Sequence, residues 1–321
     1  MSETMYRPGL EGVIAGETVL SKVEQTGLAY RGYSIEDLAD NVTFEEVTHL
    51  LFYGELPTAK QLSQLQTTLM QFRPLPEEVL QALRAIPTEV SMMEVLRSMV
   101  SYAGHFDPVK GSSIDDLRRR AVWLTAVVAS VVTARYRLLN KREPLAPKDG
   151  LSHAAQLLYQ SLGEEPEPTP VRLLDLTLIL YAEHEYNAST FAVRIVASTL
   201  SDLVSGVVAG IGTLKGPLHG GANERAMKML LQFKSAAEAS KWIAGAFERK
   251  EKVMGFGHRV YKQGDHRAWI LEAELRKLAE QKGETRWMEI YDAIKDPVVN
   301  EKKIYPNVDY PCGLTYYLMG L

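Results

Sequence analysis

Apolar residues recur every three or four positions along almost the whole chain, and this helical period restricts the fold more than any other feature. Leu38, Val42, Val47, Leu50 and Leu51 mark one helix face, closed by Gly54 and a turn at Leu56-Pro57-Thr58. Leu62, Leu65, Leu69 and Phe72 repeat the pattern, as do Leu80, Leu83 and Ile86. Met93, Leu96, Val100 and Tyr102 follow, until Gly104 and Asp107-Pro108 break the run. Residues 115–139 predict one long, largely buried helix. The same period predicts helices over 151–162, 171–185, 191–213, 223–234, 236–248, 267–281 and 285–294. Strand signals are confined to the start, where Val19–Val23 and Leu28–Arg31, separated by Gln25-Thr26-Gly27, predict a hairpin. Strands nowhere alternate with helices, which excludes a doubly wound nucleotide-binding sheet. The fold class is therefore all-α with a minor N-terminal β-hairpin. Pro/Lys/Glu-rich connections occupy 140–150 and 163–170.

Composition narrows the function. A chain of 321 residues can bury a core without a metal or disulfide staple. A formal net charge of −4 offers no general attraction for nucleic acid or an anionic membrane. Cys312 is the single cysteine, so no intrachain disulfide can form and a reducing compartment is expected. Met1–Gly12 has neither an apolar stretch nor an Arg/Ser-rich amphipathic one, so no targeting peptide is expected. The longest uncharged apolar runs, Trp123–Ala134 and Leu203–Leu214, are too short to span a bilayer. A cytoplasmic protein is the expectation.

The 191–213 segment carries small residues at helical spacing: Ala197, Ser201, Ser205 and Ala209, with Gly206 and Gly210 beside them. Such a face lets a second helix approach closely, either in the core or at a subunit interface.

Three segments place glycine, histidine or aspartate where packing requires none. In Lys215–Glu224, His219 lies among glycines just ahead of a helix for which Asn223 is the expected N-cap. The positive end of that helix is expected to lower the imidazole's pKa, so that a neutral ring donates to a carbonyl becoming an enolate. A turn histidine with an ordinary hydrogen bond is the other reading. In Gly255-Phe256-Gly257-His258-Arg259-Val260-Tyr261-Lys262, with Arg267 beyond, three cations suggest an anion site, against a basic solvated loop. In Tyr305–Pro311, Asp309 is either a turn residue or a partly desolvated base. A further histidine, His184, ends an apolar helix in Tyr181–Ser189. No histidine pair has HExxH spacing and no cysteine cluster exists, so no metal site is expected. A Gly-x-Ser-x-Gly elbow is absent as well.

Taken together these segments resemble the citrate synthase family. The resemblance runs from Gly9-Leu10-Glu11-Gly12-Val13 to the last residue. It passes through Tyr30-Arg31-Gly32-Tyr33, Tyr53-Gly54-Glu55-Leu56-Pro57, His184-Glu185, Gly216–Gly221, Gly255–Arg259 and Pro306-Asn307-Val308-Asp309. It implies an all-helical enzyme with a large domain, residues 1–215, and a small one, residues 216–321, that closes over substrate. By the resemblance Asp309 removes a proton from the methyl group of acetyl-CoA. His219 stabilises the enol, and His258 activates the keto group of oxaloacetate. His184, Arg267 and Asn187 hold the oxo acid, while Lys262, Lys302 and the Val253–Gly257 loop, through Val253, Gly255 and Gly257, contact CoA. The implied reaction condenses acetyl-CoA with oxaloacetate and hydrolyses citryl-CoA. It needs no resident cofactor, acetyl-CoA being a co-substrate, and the implied assembly is a homodimer. The same residues would serve a 2-methylcitrate synthase acting on propionyl-CoA, and a silent paralogue acting as a helical scaffold is the alternative from another class.

Departures from the family pattern are visible. Ser91-Met92-Met93 stands where His-Pro-Met is common, and His266 replaces a common proline before Arg267. Leu314–Leu321 reads as an apolar helix without a cap, where family members continue for several more helices that carry further arginines. The expectation is either a longer native chain or weak oxaloacetate binding.

Overall fold

The computed structural model describes residues 16–24, 27–258, 261 and 263–321. The motif at Gly9–Val13, Arg259 and Lys262 lie outside the described residues. Three short antiparallel strands come first: β1 (Ser21–Glu24), β2 (Gly27–Tyr30) and β3 (Tyr33–Ser34), in the order β1-β2-β3 with Ser21 opposite Tyr30. The expected hairpin is thus present, with a third strand that the pattern does not reveal.

Helices make up the rest. The first six are α1 (Ile35–Asn41), α2 (Phe44–Tyr53), α3 (Ala59–Phe72), α4 (Glu77–Ala85), α5 (Met92–Ala103) and α6 (Ile114–Leu139). They are followed by α7 (His153–Leu162), α8 (Pro168–Leu180), α9 (Ala188–Ser198) and α10 (Leu203–Leu214). The last five are α11 (Ala222–Leu230), α12 (Ala236–Glu248), α13 (His266–Gln281), α14 (Thr285–Lys302) and α15 (Asp309–Met319). Local chemistry sets many starts: Thr43 and Glu46 form a capping box on α2, and Ser113 and Asp116 do the same on α6. By length and composition α6 could cross a membrane, yet its apolar side is core. Trp123, Leu124, Val127 and Val131 are buried against α5, and full burial of such side chains contributes about 1.5–3 kcal/mol each. The buried Arg135 donates from Nη1 and Nη2 to the carbonyls of Ile86 and Pro87 at 2.9 and 2.5 Å.

Several boundaries differ from the periodic reading, each for a local reason. The helix expected over 171–185 begins at Pro168 and ends at Leu180. Beyond it the β1 strand takes hold of the chain. Ser21 Oγ donates to Glu183 Oε1 and accepts from the Glu185 amide, both at 3.1 Å, while the Val23 amide donates to Glu185 Oε1 at 3.1 Å. Glu185 adopts φ +53° in consequence of this docking.

The single helix expected over 191–213 is two, α9 and α10, parted at Leu200 and restarted by Asp202, whose side chain accepts from the Ser205 amide. Gly210 lies so close to α9 that a Cβ there would stand 2.8 Å from Val193 Cγ2. The glycines thus serve packing within the chain, while Ala197, Ser201 and Ser205 face outward. The helix expected over 223–234 spans Ala222–Leu230 with Gly221 as its N-cap. Asn223 therefore sits inside the first turn and accepts from the Glu224 amide at 2.7 Å. The helix expected over 285–294 continues through Pro297 to Lys302. The last helix starts at Asp309, ahead of the expected Leu314, and Gly320 closes it.

One apolar core joins Tyr30 and helices α1, α2, α7 and α8 to α11–α15, and a second joins α4, α5, α6 and α10. Helix α8 packs directly on α13 and α15. Its C-terminus is thereby carried to the N-terminus of α15, which is where the candidate residues collect.

Candidate active site

The segment from the end of α8 into the first turn of α9, residues 181–189, touches each of the three residues expected to do chemistry. Tyr181 donates its hydroxyl to Asp309 Oδ1 at 2.7 Å. The ring of His184 meets the ring of His258 edge-on, centroids 5.1 Å apart. Ser189 holds His219, with its amide 3.2 Å and its hydroxyl 2.9 Å from Nε2. Three residues from distant parts of the chain thus converge on nine consecutive ones.

The ring protons follow from backbone amides, which can only donate. The Ser189 amide meets His219 Nε2, so that nitrogen offers its lone pair and the proton is assigned to Nδ1. Burial holds the His219 pKa below the ordinary range. The ring is therefore neutral at neutral pH, as expected, but the helix end that meets it belongs to α9 rather than to the following helix. In the same way the Tyr261 amide donates to His258 Nδ1 at 3.2 Å, which assigns the His258 proton to Nε2.

His258 stacks on Tyr261 with centroids 4.5 Å apart, and Tyr261 presents its ring edge-on to His184. Among the described residues, His184 Nε2 and the Tyr261 hydroxyl are buried without a hydrogen-bond partner. Orphaned polar atoms side by side are costly unless a ligand completes them. Burial first, then the nearby Arg267 charge, pushes the His184 pKa down to about 4.

Arg267 is buried, as an anion-binding arginine can be, but it already has a partner. Its Nε and Nη2 form a forked pair with Asp265 Oδ1 and Oδ2 at 3.0 and 2.9 Å. Burial works to lower its pKa and the Asp265 carboxylate overcomes that, leaving the guanidinium above its ordinary range. Asp265 also accepts from the Val308 amide at 3.1 Å. One carboxylate, which the motif reading did not single out, therefore fixes both Arg267 and the residue preceding Asp309. Its position two residues ahead of Arg267 was the available signal. Tyr181 and Ser189 were missed as well, because nothing in their local sequence says which distant residue they meet.

Asp309 opens α15. Burial raises its pKa, the Tyr181 hydrogen bond opposes this, and Arg267 opposes it further. Asn187 caps α9, its side chain accepting from the Thr190 amide at 3.0 Å. The structure places it between the His184 and His219 contacts with its side-chain oxygen engaged in the helix start.

The loop from Val253 to Gly257 is knitted to the strand-like segment ahead of Asp309. Gly257 donates to the Tyr305 carbonyl at 2.8 Å, and the Asn307 amide donates to the Gly255 carbonyl at 2.9 Å. Gly255 sits at φ +83° against Tyr310, where a Cβ would approach the Tyr310 Cβ to 2.8 Å. Only glycine satisfies both conditions. Lys302 lies at the end of α14 with its ammonium 4.4 Å above the Phe247 ring, and it contacts none of the residues just described. No cluster of His, Cys, Asp or Glu suited to a metal ion occurs among the described residues.

Residues 9–321 match the family model described as citrate synthase, C-terminal domain. Citrate synthase 2 of Bacillus subtilis is 41% identical over 315 residues, covering 98% of this chain and 85% of that protein. 2-Methylcitrate synthase 1 of Corynebacterium glutamicum is 40% identical over 328 residues, covering 100% of this chain and 86% of that protein. Among solved structures, citrate synthase from Pyrobaculum aerophilum superposes with a TM-score of 0.91 at 37% identity, covering 98% of this chain and 84% of that one. Citrate synthase from Thermoplasma acidophilum, solved with carboxymethyl coenzyme A and oxaloacetate, gives a TM-score of 0.91 at 33% identity, with coverages of 98% and 84%. A helical fold of this closeness, matched from end to end, places the chain in the citrate synthase family.

Proposed function

We propose that the chain condenses acetyl-CoA with oxaloacetate and hydrolyses the resulting citryl-CoA to citrate and CoA. The observation that carries this reading is the 181–189 segment, whose residues contact Asp309, His258 and His219. Asp309 takes a proton from the methyl group of the thioester. The neutral His219 donates from Nδ1 to the thioester oxygen, so that an enol forms without a free carbanion. His258 donates from Nε2 to the keto oxygen of the oxo acid while the new carbon–carbon bond forms. His184, Arg267 and Asn187 bind the oxo acid. The Val253–Gly257 loop, Lys262 and Lys302 bind CoA.

The retained base and both donors argue against a silent scaffold. A second reading is a 2-methylcitrate synthase using propionyl-CoA, since relatives of that name are as similar as those named citrate synthase. The proposal includes a two-domain division at 215/216, a cytoplasmic location and a role in the tricarboxylic acid cycle. It also includes a homodimer formed through α9 and α10. In favour of the dimer, α9 buries none of its residues within the chain and leaves Ile195 exposed.

The test is thiol release by wild-type protein and by Asp309→Asn, with acetyl-CoA and propionyl-CoA, each with oxaloacetate. Loss of the base should lower turnover about 10²–10⁴-fold. The buried carboxylate has a raised pKa, so its ionised form costs stability once pH exceeds the unfolded value. Asp309→Asn should accordingly fold at least as stably at neutral pH, and near-normal turnover by it would overturn the reading. The ratio of the two acyl-CoA rates decides between the two substrates.

A further inference from the structure

We propose that Tyr181 is the positioning residue of the base: its hydroxyl holds one carboxylate oxygen of Asp309, leaving Oδ2 to take the proton and keeping the carboxylate ionised at neutral pH. The inference rests on Asp309 being the base.

Three observations carry it. The hydrogen bond is short, 2.7 Å, and joins residues 128 positions apart, just after α8 and at the start of α15. It is the hydrogen bond to the Asp309 side chain among the described residues, the amide of Asp309 being bound instead to Asn307 Oδ1 at 3.1 Å. Tyr181 also sits at the hinge of the site in sequence, the first residue after α8 and three before His184, so it cannot shift without moving the whole turn.

The remaining groups facing the carboxylate do not substitute for this donor. Asp265, ahead of α13, is like-charged and works against ionisation. Arg267 on α13 is forked onto Asp265, and Arg225 on α11 is bound to the carbonyls of Pro217 and Gly220. On its other side the Tyr181 hydroxyl has the fully buried Cys312, one turn along α15, with Tyr316 beyond it bound to Thr177 Oγ1 at 3.1 Å. Burial, Cys312 and Asp309 hold the phenol well above its ordinary range, so it remains a donor wherever the enzyme works. The residue is 41% exposed, and its hydroxyl is held by Asp309. A carboxylate with one oxygen held is aimed as well as charged. The bound oxygen cannot compete for the proton, and rotation about the carboxyl bond is restricted.

The experiment is the pH dependence of kcat/KM for acetyl-CoA in wild type, Tyr181→Phe and Asp309→Asn. Losing a hydrogen bond to the charged form raises the carboxyl pKa, so the acid limb in Tyr181→Phe should move up by about one to two pH units. Turnover should fall about tenfold or more near neutrality and recover substantially at higher pH. A purely structural role would lower the plateau and leave the limb in place, and that result would overturn the proposal. Should Tyr181→Phe fail to fold, 3-fluorotyrosine at position 181 keeps the ring and supplies a more acidic, stronger donor. The limb should then move down, and an unmoved limb counts against the proposal. Inactive Asp309→Asn with an unmoved limb in the position-181 variants removes Tyr181 from the account and leaves the base assignment standing. Active Asp309→Asn overturns both.

Discussion

The two halves of the site are built on opposite electrostatic plans. Around Asp309 and His219 stand a partly buried carboxylate with one neutral donor, Tyr181, and a neutral histidine held by a helix amide. Around Arg267 stand two histidines that meet edge-on, the buried arginine and its forked carboxylate, with two buried polar atoms unpartnered among the described residues. The first arrangement holds its polar groups in hydrogen bonds within the chain. The second leaves His184 Nε2 and the Tyr261 hydroxyl unpartnered among the described residues. Groups that transfer protons must hold a definite protonation state beforehand, whereas groups that bind an anion gain most if their partner arrives with the substrate.

That contrast can be broken most severely at Asp265, which serves both sides by fixing Arg267 and the Val308 amide. Removing one member of a buried ion pair leaves an uncompensated charge. Asp265→Ala should lower the unfolding free energy by about 3–5 kcal/mol in urea titrations. It should also weaken turnover beyond what lost oxo-acid affinity explains, because Val308 precedes the base. A drop well under 1 kcal/mol would show that Arg267 finds another partner.

A smaller effect separates the sides by pH. His184 titrates at about 4 when folded, against an ordinary histidine value near 6.5. The unfolded chain therefore takes up this proton first on acidification. The stability tied to the neutral ring is complete above about pH 6.5 and is lost progressively as pH falls through that value toward the folded pKa. Between pH 7 and pH 4.5 this should amount to about 2–3 kcal/mol for His184. His184→Gln should abolish that share of the loss in paired urea midpoints. The buried His153 is held down to about 3 by its burial and by Arg73, and should contribute equally in both proteins. Identical pH slopes in wild type and variant would exclude His184 as a buried neutral group.

The finest test distinguishes the amide of Ser189 from its hydroxyl. Ser189→Ala keeps the N–H that assigns the His219 proton to Nδ1, so turnover should fall about tenfold at most. Ser189→Pro removes that N–H from the first turn of α9, where proline is sterically tolerated, and should cost more. Equal losses in the two variants would mean that the amide does not set the tautomer.

Much of this could be read from the sequence alone. The helical period, the capping residues and the glycine-rich turns are local properties, decided by neighbours three or four positions away, and they yielded the all-helical class, the long α6 and the segments carrying His219, His258 and Asp309. Tertiary structure decided the rest. Only folding brings Ser21 against Glu183 and Glu185 and so ends α8 at Leu180, and only folding sets Tyr181 against Asp309 and Ser189 against His219. Asp202 parts α9 from α10 by a cap that periodicity ignores, and Gly210 then faces Val193 inside the chain. Each of these contacts joins residues whose separation along the chain carries no trace of their meeting. Protonation, which depends on burial and on the partner across the gap, is for that reason a property of the fold and not of the motif.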